Sequence, residues 1–145
     1  MSQDDRVQQL LSLFHDIVLP LADAYAATRN ALRWSPADAC LLAGETRLPV
    51  DALGHIFLVG AGKAGVPMAR AVVDTLREDE RLWTRFAGGS VNVYRDQASA
   101  NVPRVAFFPA DHPNPNEFSV EGARAAIELL KSATAQDLVI AVISG

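Results

Sequence analysis

Residues 60–65 read Gly-Ala-Gly-Lys-Ala-Gly and follow directly on the apolar run His55-Ile-Phe-Leu-Val59. A short continuous apolar segment closed by glycine is the pattern of a strand buried on both faces. Beyond the glycines, Met68, Val72 and Leu76 recur at helical spacing, which predicts a helix over 67–76. The hexapeptide thus matches G-x-G-x-x-G in the strand-to-helix setting that gives the motif physical meaning. Few architectures accept that punctuation. It commits the chain to an α/β unit in which a strand runs through a tight glycine turn into a helix.

The rest of the chain extends this unit. Ser90 to Tyr94 alternates apolar and polar residues and predicts a second strand, Arg104 to Phe108 a third, and Asp137 to Ile143 a last, wholly apolar one. Between the last two, residues 118–132 predict a helix with Ser119 as its cap. The order strand, helix, strand, strand, helix, strand implies a Rossmann-like three-layer domain with a mostly parallel sheet. The segment from Tyr94 to Arg104 is too short for a crossover helix, so the relative direction of those two strands stays open.

Upstream, a helical lead is expected. Val7, Leu10, Leu11, Phe14, Ile17, Val18 and Leu21 form an amphipathic stripe with Ser2 as a cap, and Pro20 breaks it. A second helix is predicted over 21–32, and a third from Ser35-Pro36 to a stop at Gly44. The division expected is a helical lead over 1–50 packed on an α/β portion over 51–145. The last strand is followed only by Ser144-Gly145, which reads as an incomplete domain.

Composition narrows the functional classes. The 145 residues carry a net charge of −4, opposite to the basic footprint of a nucleic-acid binder. No apolar run reaches the length of a membrane span. The polar start, Met1-Ser2-Gln3-Asp4-Asp5-Arg6, is no signal peptide, and a single cysteine, Cys40, fits a reducing compartment. The expectation is a cytoplasmic domain. His15, His55 and His112 are far apart in sequence and make no metal-ligand spacing.

Two loops carry chemistry. Glycines allow close backbone approach, and free N–H groups at a helix start favour phosphate or carboxylate. Within that loop Lys63 is a point charge for an anion, or else a solvated surface lysine. A phosphate-binding loop of the G-x-x-x-x-G-K-[ST] type is excluded, because Phe57 replaces the first glycine and Ala64 follows Lys63. A dinucleotide site calls for an acid at the end of the second strand. Glu80 precedes that strand and Asp96 comes too late. The second loop, Asp111-His112-Pro113-Asn114-Pro115-Asn116, follows the third strand. Its prolines stiffen it, and His112 is either an acid–base or hydroxyl-binding group or part of a structural turn with Asp111.

Taken together, Val59-Gly-Ala-Gly-Lys-Ala64 with Met68-Ala69, His112-Pro113 with Pro115, and Leu138 to Gly145 resemble the N-terminal domain of bacterial and archaeal glycerate 2-kinases. That family was formerly labelled hydroxypyruvate reductase. Leu11-Ser-Leu-Phe14 also fits, and the resemblance covers nearly the whole chain. It implies a two-domain enzyme, its C-terminal domain absent here, that phosphorylates the 2-hydroxyl of D-glycerate with ATP and a divalent cation such as Mg²⁺. It makes Lys63 the functional lysine and assigns substrate or phosphate contacts to Gly60, Gly62, Ala64, His112, Ser144 and Gly145. It names no metal ligands, leaves a homo-oligomer open, and implies no turnover by this segment alone. The sequence departs from the family's usual pattern in Gly65, Pro67, Asp111 and Asn116, so the acceptor stays open among small hydroxy acids. An NAD(P)-linked reductase and a non-catalytic anion-binding module are the competing readings.

Overall fold

The computed structural model describes residues 3–19 and 22–145. Helix α1 spans Gln3–Leu13 and runs on as a π-helical turn over Phe14–Val18. The stripe Val7, Leu10, Leu11, Phe14, Ile17 and Val18 forms as predicted by spacing, and all of it is exposed. Ser2, Pro20 and Leu21 lie outside the described residues.

Helix α2 (Ala24–Ala31) starts at Asp23, whose carboxylate accepts from the Ala26 N–H at 3.1 Å. The helix predicted from Ser35-Pro36 does not form. In its place Leu32–Ser35, Cys40–Ala43 and Thr46–Pro49 make an antiparallel three-stranded meander, β1 to β3. The cause is local. Ala39 and Gly44 adopt positive φ, 49° and 58°, and turn the chain too tightly for a helix. The Ser35 hydroxyl, expected as a cap, donates to Asp38 across the first turn at 2.8 Å. Gly44 was read as a helix stop, and the same left-handed tolerance serves a hairpin. Burying Leu32, Cys40, Leu41 and Val50 then fixes the meander to the core.

The main sheet contains β4 (Ile56–Ala61), β5 (Phe86–Tyr94), β6 (Val105–Ala110) and β7 (Leu138–Ile143), in the order β6-β5-β4-β7. Every pairing is parallel. That settles the open direction of the second and third strands. They are joined by a loop containing only a 3₁₀ turn, Arg95–Gln97, with Val102 buried beneath it.

Helix α3 (Gly65–Leu76) and helix α5 (Glu117–Leu130) cover opposite faces of this sheet. Gly65 of α3 lies against Val91 and Val93, whereas Gly122 of α5 lies against Asn92 and accepts a hydrogen bond from Ser90. Odd and even residues of one strand point to different faces. Between α3 and α5 in the chain comes a short helix not predicted from the sequence, α4 (Glu80–Arg85). Helix α5 begins one turn before the predicted cap. Asn116 accepts from the Ser119 N–H at 2.9 Å and Ser119 Oγ accepts in return from the Asn116 N–H, a capping box.

Helix α2 is tied to α3 and to the start of the meander. Tyr25 donates to Asp74, Arg29 pairs with Glu78 and donates to Thr75, and the Thr75 hydroxyl lies 3.2 Å from the Leu32 carbonyl. Ile56, Leu58, Val72, Leu76, Leu82, Phe86 and Val91 form the centre of the core.

Candidate anion site at the strand ends

The strand order creates one crevice. From β4 the chain moves to β5 on one side, and it later returns as β7 on the other side. At such a reversal the loops after two neighbouring strands diverge and leave room for a ligand. Gly62-Lys63 leaves β4 there, and Ser144-Gly145 leaves β7.

The two loops are bonded to each other. The Ala64 N–H donates to Ser144 Oγ at 2.9 Å, and the Ser144 N–H donates to the Ala61 carbonyl at 3.1 Å. Gly62 has φ +125°, and a Cβ there would run into the Ser144 carbonyl and hydroxyl. Gly60 sits behind the crevice, where a Cβ would press on Val142 at 2.5 Å. These glycines let β4 and β7 approach. The exposed element of the turn is Lys63, which forms no ion pair among the described residues.

From the opposite wall comes the loop after β6. Asp111 and His112 border the crevice, with a cis peptide between His112 and Pro113. Asp111 is held in a two-point ion pair by Arg95, with Nε–Oδ1 3.0 Å and Nη2–Oδ2 2.6 Å. That guanidinium, and then a hydrogen bond from Asn116, holds the Asp111 carboxyl below its ordinary pKa. Asn116 in turn donates from Nδ2 to the Pro109 carbonyl at 3.0 Å.

The result is a cleft of about 300 Å³ bordered by Gly62, Lys63, Tyr94, His112, Ser144 and Gly145 among others. Four of the residues singled out from sequence besides Lys63 therefore meet in space: Gly62, His112, Ser144 and Gly145. Gly60 does not border the cleft, and Ala64 borders the far side of Ser144, in a second and more apolar hollow of about 530 Å³ with Met68, Ile140 and Val142. Sequence reading missed Asn92 and Tyr94, which reach the cleft from the end of β5. Their position at a strand end was the available signal. It also missed Arg95, whose partner lies 16 positions away and carries no motif.

Chemically the cleft suits a small oxyanion. A lysine and a serine hydroxyl border it together, and each favours negative charge, whereas the first residues of α3 lie behind Ser144, with the Gly65 N–H bonded to the Gly62 carbonyl. A divalent cation does not fit these residues alone, since no group of three His, Cys, Asp or Glu side chains among the described residues could hold one. No described helix is long and apolar enough to cross a membrane.

The chain is similar to several known proteins. A family model described as "Domain of unknown function (DUF4147)" matches residues 10–145. Glycerate 2-kinase of Pyrococcus horikoshii is 32% identical over 125 residues, covering 86% of this chain and 25% of that protein. A protein of Agrobacterium vitis provisionally named hydroxypyruvate reductase is 37% identical over 93 residues, 64% of this chain and 22% of its own length. The crystal structure of the PH0495 protein from Pyrococcus horikoshii OT3 superposes with a TM-score of 0.69 at 29% identity, covering 86% of this chain and 26% of that one. The chain thus spans about a quarter of the length of the relatives it matches. With motifs, strand order and relatives in agreement, the chain belongs to the glycerate 2-kinase family and corresponds to its N-terminal DUF4147 domain.

Proposed function

We propose that this chain supplies the anion-cradling part of a kinase that moves the terminal phosphoryl group of ATP to the 2-hydroxyl of D-glycerate, giving 2-phosphoglycerate. The observation that carries the reading is the convergence of Lys63, Ser144 and His112 on one cleft at the strand reversal. In such a transfer the acceptor oxygen bonds to phosphorus, the bond to the ADP oxygen breaks, and the hydroxyl proton departs. Little covalent chemistry falls to the protein, which has to position the partners and offset negative charge.

Each residue then has a task that suits its chemistry. Lys63 places a positive charge beside the substrate carboxylate or the transferred group. The Ser144 hydroxyl, whose oxygen already accepts from Ala64, keeps its proton to donate to an anionic oxygen. His112, at the opposite wall, is the group able to bond or deprotonate the acceptor hydroxyl. The geometry favours phosphoryl over hydride transfer, because Tyr94 and the engaged Arg95 stand where a dinucleotide's ribose would require an acid. A cytoplasmic, nucleotide-dependent enzyme acting on a small hydroxy acid is the matching setting.

Isothermal titration of the chain with D-glycerate, inorganic phosphate, ATP and NADH tests this. D-Glycerate and phosphate are expected to compete for one site that Lys63→Ala abolishes. Where the chain is joined to the remaining length of its relatives, the same substitution is expected to cut ADP release with D-glycerate at least tenfold. Binding of NADH with no response to D-glycerate or phosphate overturns the reading.

A further inference from the structure

We infer that Arg95 and Asp111 form a positioning pair for His112, anchoring the loop 111–116 to the end of β5 so that the imidazole stands at the cleft that holds Lys63. This deepens the hydroxy-acid reading of the cleft and rests on it.

The geometry is that of a loop held at its two feet. At one end Asp111 is gripped through both carboxylate oxygens by the Arg95 guanidinium, at 3.0 and 2.6 Å. At the other, Asn116 caps α5 and reaches back to Pro109 at 3.0 Å. Between them residues 112–115 are exposed. His112 is exposed and makes no hydrogen bond with a described residue. Its location therefore follows from the backbone, and the backbone from the feet. Two-point recognition of a carboxylate by arginine fixes angle as well as distance, which a lysine cannot do. Both partners are substantially exposed, with side chains 64% and 39% accessible. Such pairs contribute little to global stability, so the function of this one is separable from folding.

The inference differs from a purely electrostatic one in the sign of one result. If Arg95 were simply a second cation for the ligand, removing its carboxylate partner would strengthen anion binding. As a positioning pair, loss of either member weakens it. Arg95→Gln and Asp111→Asn are each expected to weaken D-glycerate binding by roughly threefold to tenfold, the coupling typical of residues in one network. In a His112→Ala background neither is expected to have further effect. The exchange Arg95→Asp with Asp111→Arg is expected to recover part of the loss, and Arg95→Lys little of it. Heteronuclear ¹⁵N relaxation of the backbone amides of His112, Asn114 and Asn116 supplies a readout independent of any ligand: the loop becomes more mobile in both single variants while the thermal midpoint holds.

Tighter binding in Asp111→Asn, additive losses with His112→Ala, or unchanged loop relaxation overturns the inference. A fall in thermal midpoint without a change in the loop likewise reduces the pair to a structural contact and overturns it. Should the unaltered chain ignore D-glycerate, the reading of the cleft fails, and the relaxation data still decide whether the pair holds the loop.

Discussion

The backbone N–H of Ala64 donates to the hydroxyl oxygen of Ser144, 80 residues later in the chain, at 2.9 Å. One bond thereby joins the loop after β4 to the loop after β7. It gives a partner to one of the amides that a helix start leaves open, and it fixes the serine with its hydroxyl proton unused. On the proposed reading of the cleft, an anion would meet a donor whose oxygen is already held in place. The reorganisation cost of such binding would fall accordingly.

Ser144→Ala removes both functions together. The stability loss is expected to be about 1 kcal/mol, the net worth of one intramolecular hydrogen bond, seen as a lower urea midpoint at unchanged m-value. Affinity for inorganic phosphate is expected to fall more than this loss of stability would suggest. Equal phosphate affinity in Ser144→Ala and the parent chain would remove the serine from the site.

Gly62→Ala tests the close approach from the other side. The new methyl would meet the Ser144 carbonyl and hydroxyl, and φ of +125° is a region closed to alanine. A loss above roughly 1 kcal/mol is expected in urea denaturation, with the Ser144 amide resonance among the most displaced. A neutral result would show that the two loops separate at little cost.

Much of this arrangement was legible in the sequence. The glycine turn, the apolar strands and the loop with His112 each announced themselves locally, because strand burial and turn chemistry are written in neighbouring residues. What local reading could not supply was pairing. Pro36 and Gly44 serve helix ends and tight turns equally well, so the sequence predicts a helix from Ser35-Pro36 to Gly44 where the meander forms, and neither the positive φ of Ala39 nor the burial of Leu41 is signalled by neighbouring residues. The Ser144 bond and the Arg95–Asp111 pair were invisible for the same reason. Each depends on which strands become neighbours, and the order β6-β5-β4-β7 is a property of the whole sheet.

The attachment of α2 makes a prediction at Thr75, which is completely buried. Its hydroxyl accepts from Arg29 at 2.6 Å and lies within bonding distance of the Ala71 and Leu32 carbonyls. Thr75→Val keeps the shape and deletes the polar contacts. A loss of about 1–2 kcal/mol is expected, since Arg29 is left with a poorer partner in a half-buried position. Hydrogen exchange should place the weakening in α2. Weakening spread evenly over the sheet would show that α2 and the sheet unfold as one unit.

Asp137 gives the pH dependence. Its side chain is only 3% exposed, and it accepts from the Thr134 and His55 backbone N–H groups at 2.7 and 2.5 Å. It thus pins the entry of β7 to that of β4. These bonds, that of Thr134 foremost, hold the carboxyl below its ordinary pKa. A group depressed in the folded state contributes stability that is fully present above its unfolded pKa, about 3.9. That stability is lost as pH falls through the lower folded value, when the acquired proton displaces an amide. Asp38, Asp79 and Asp111 are depressed too, so acid weakening of the parent chain alone is not diagnostic. The difference between the parent and Asp137→Asn is. It should be largest and flat near neutral pH and shrink only as the medium becomes more acidic than the ordinary carboxylate range, when urea midpoints are compared across pH. A gap that stays constant into strong acid would mean that the carboxylate's charge plays no part, the protonated acid holding the two strands as well as the ionised one.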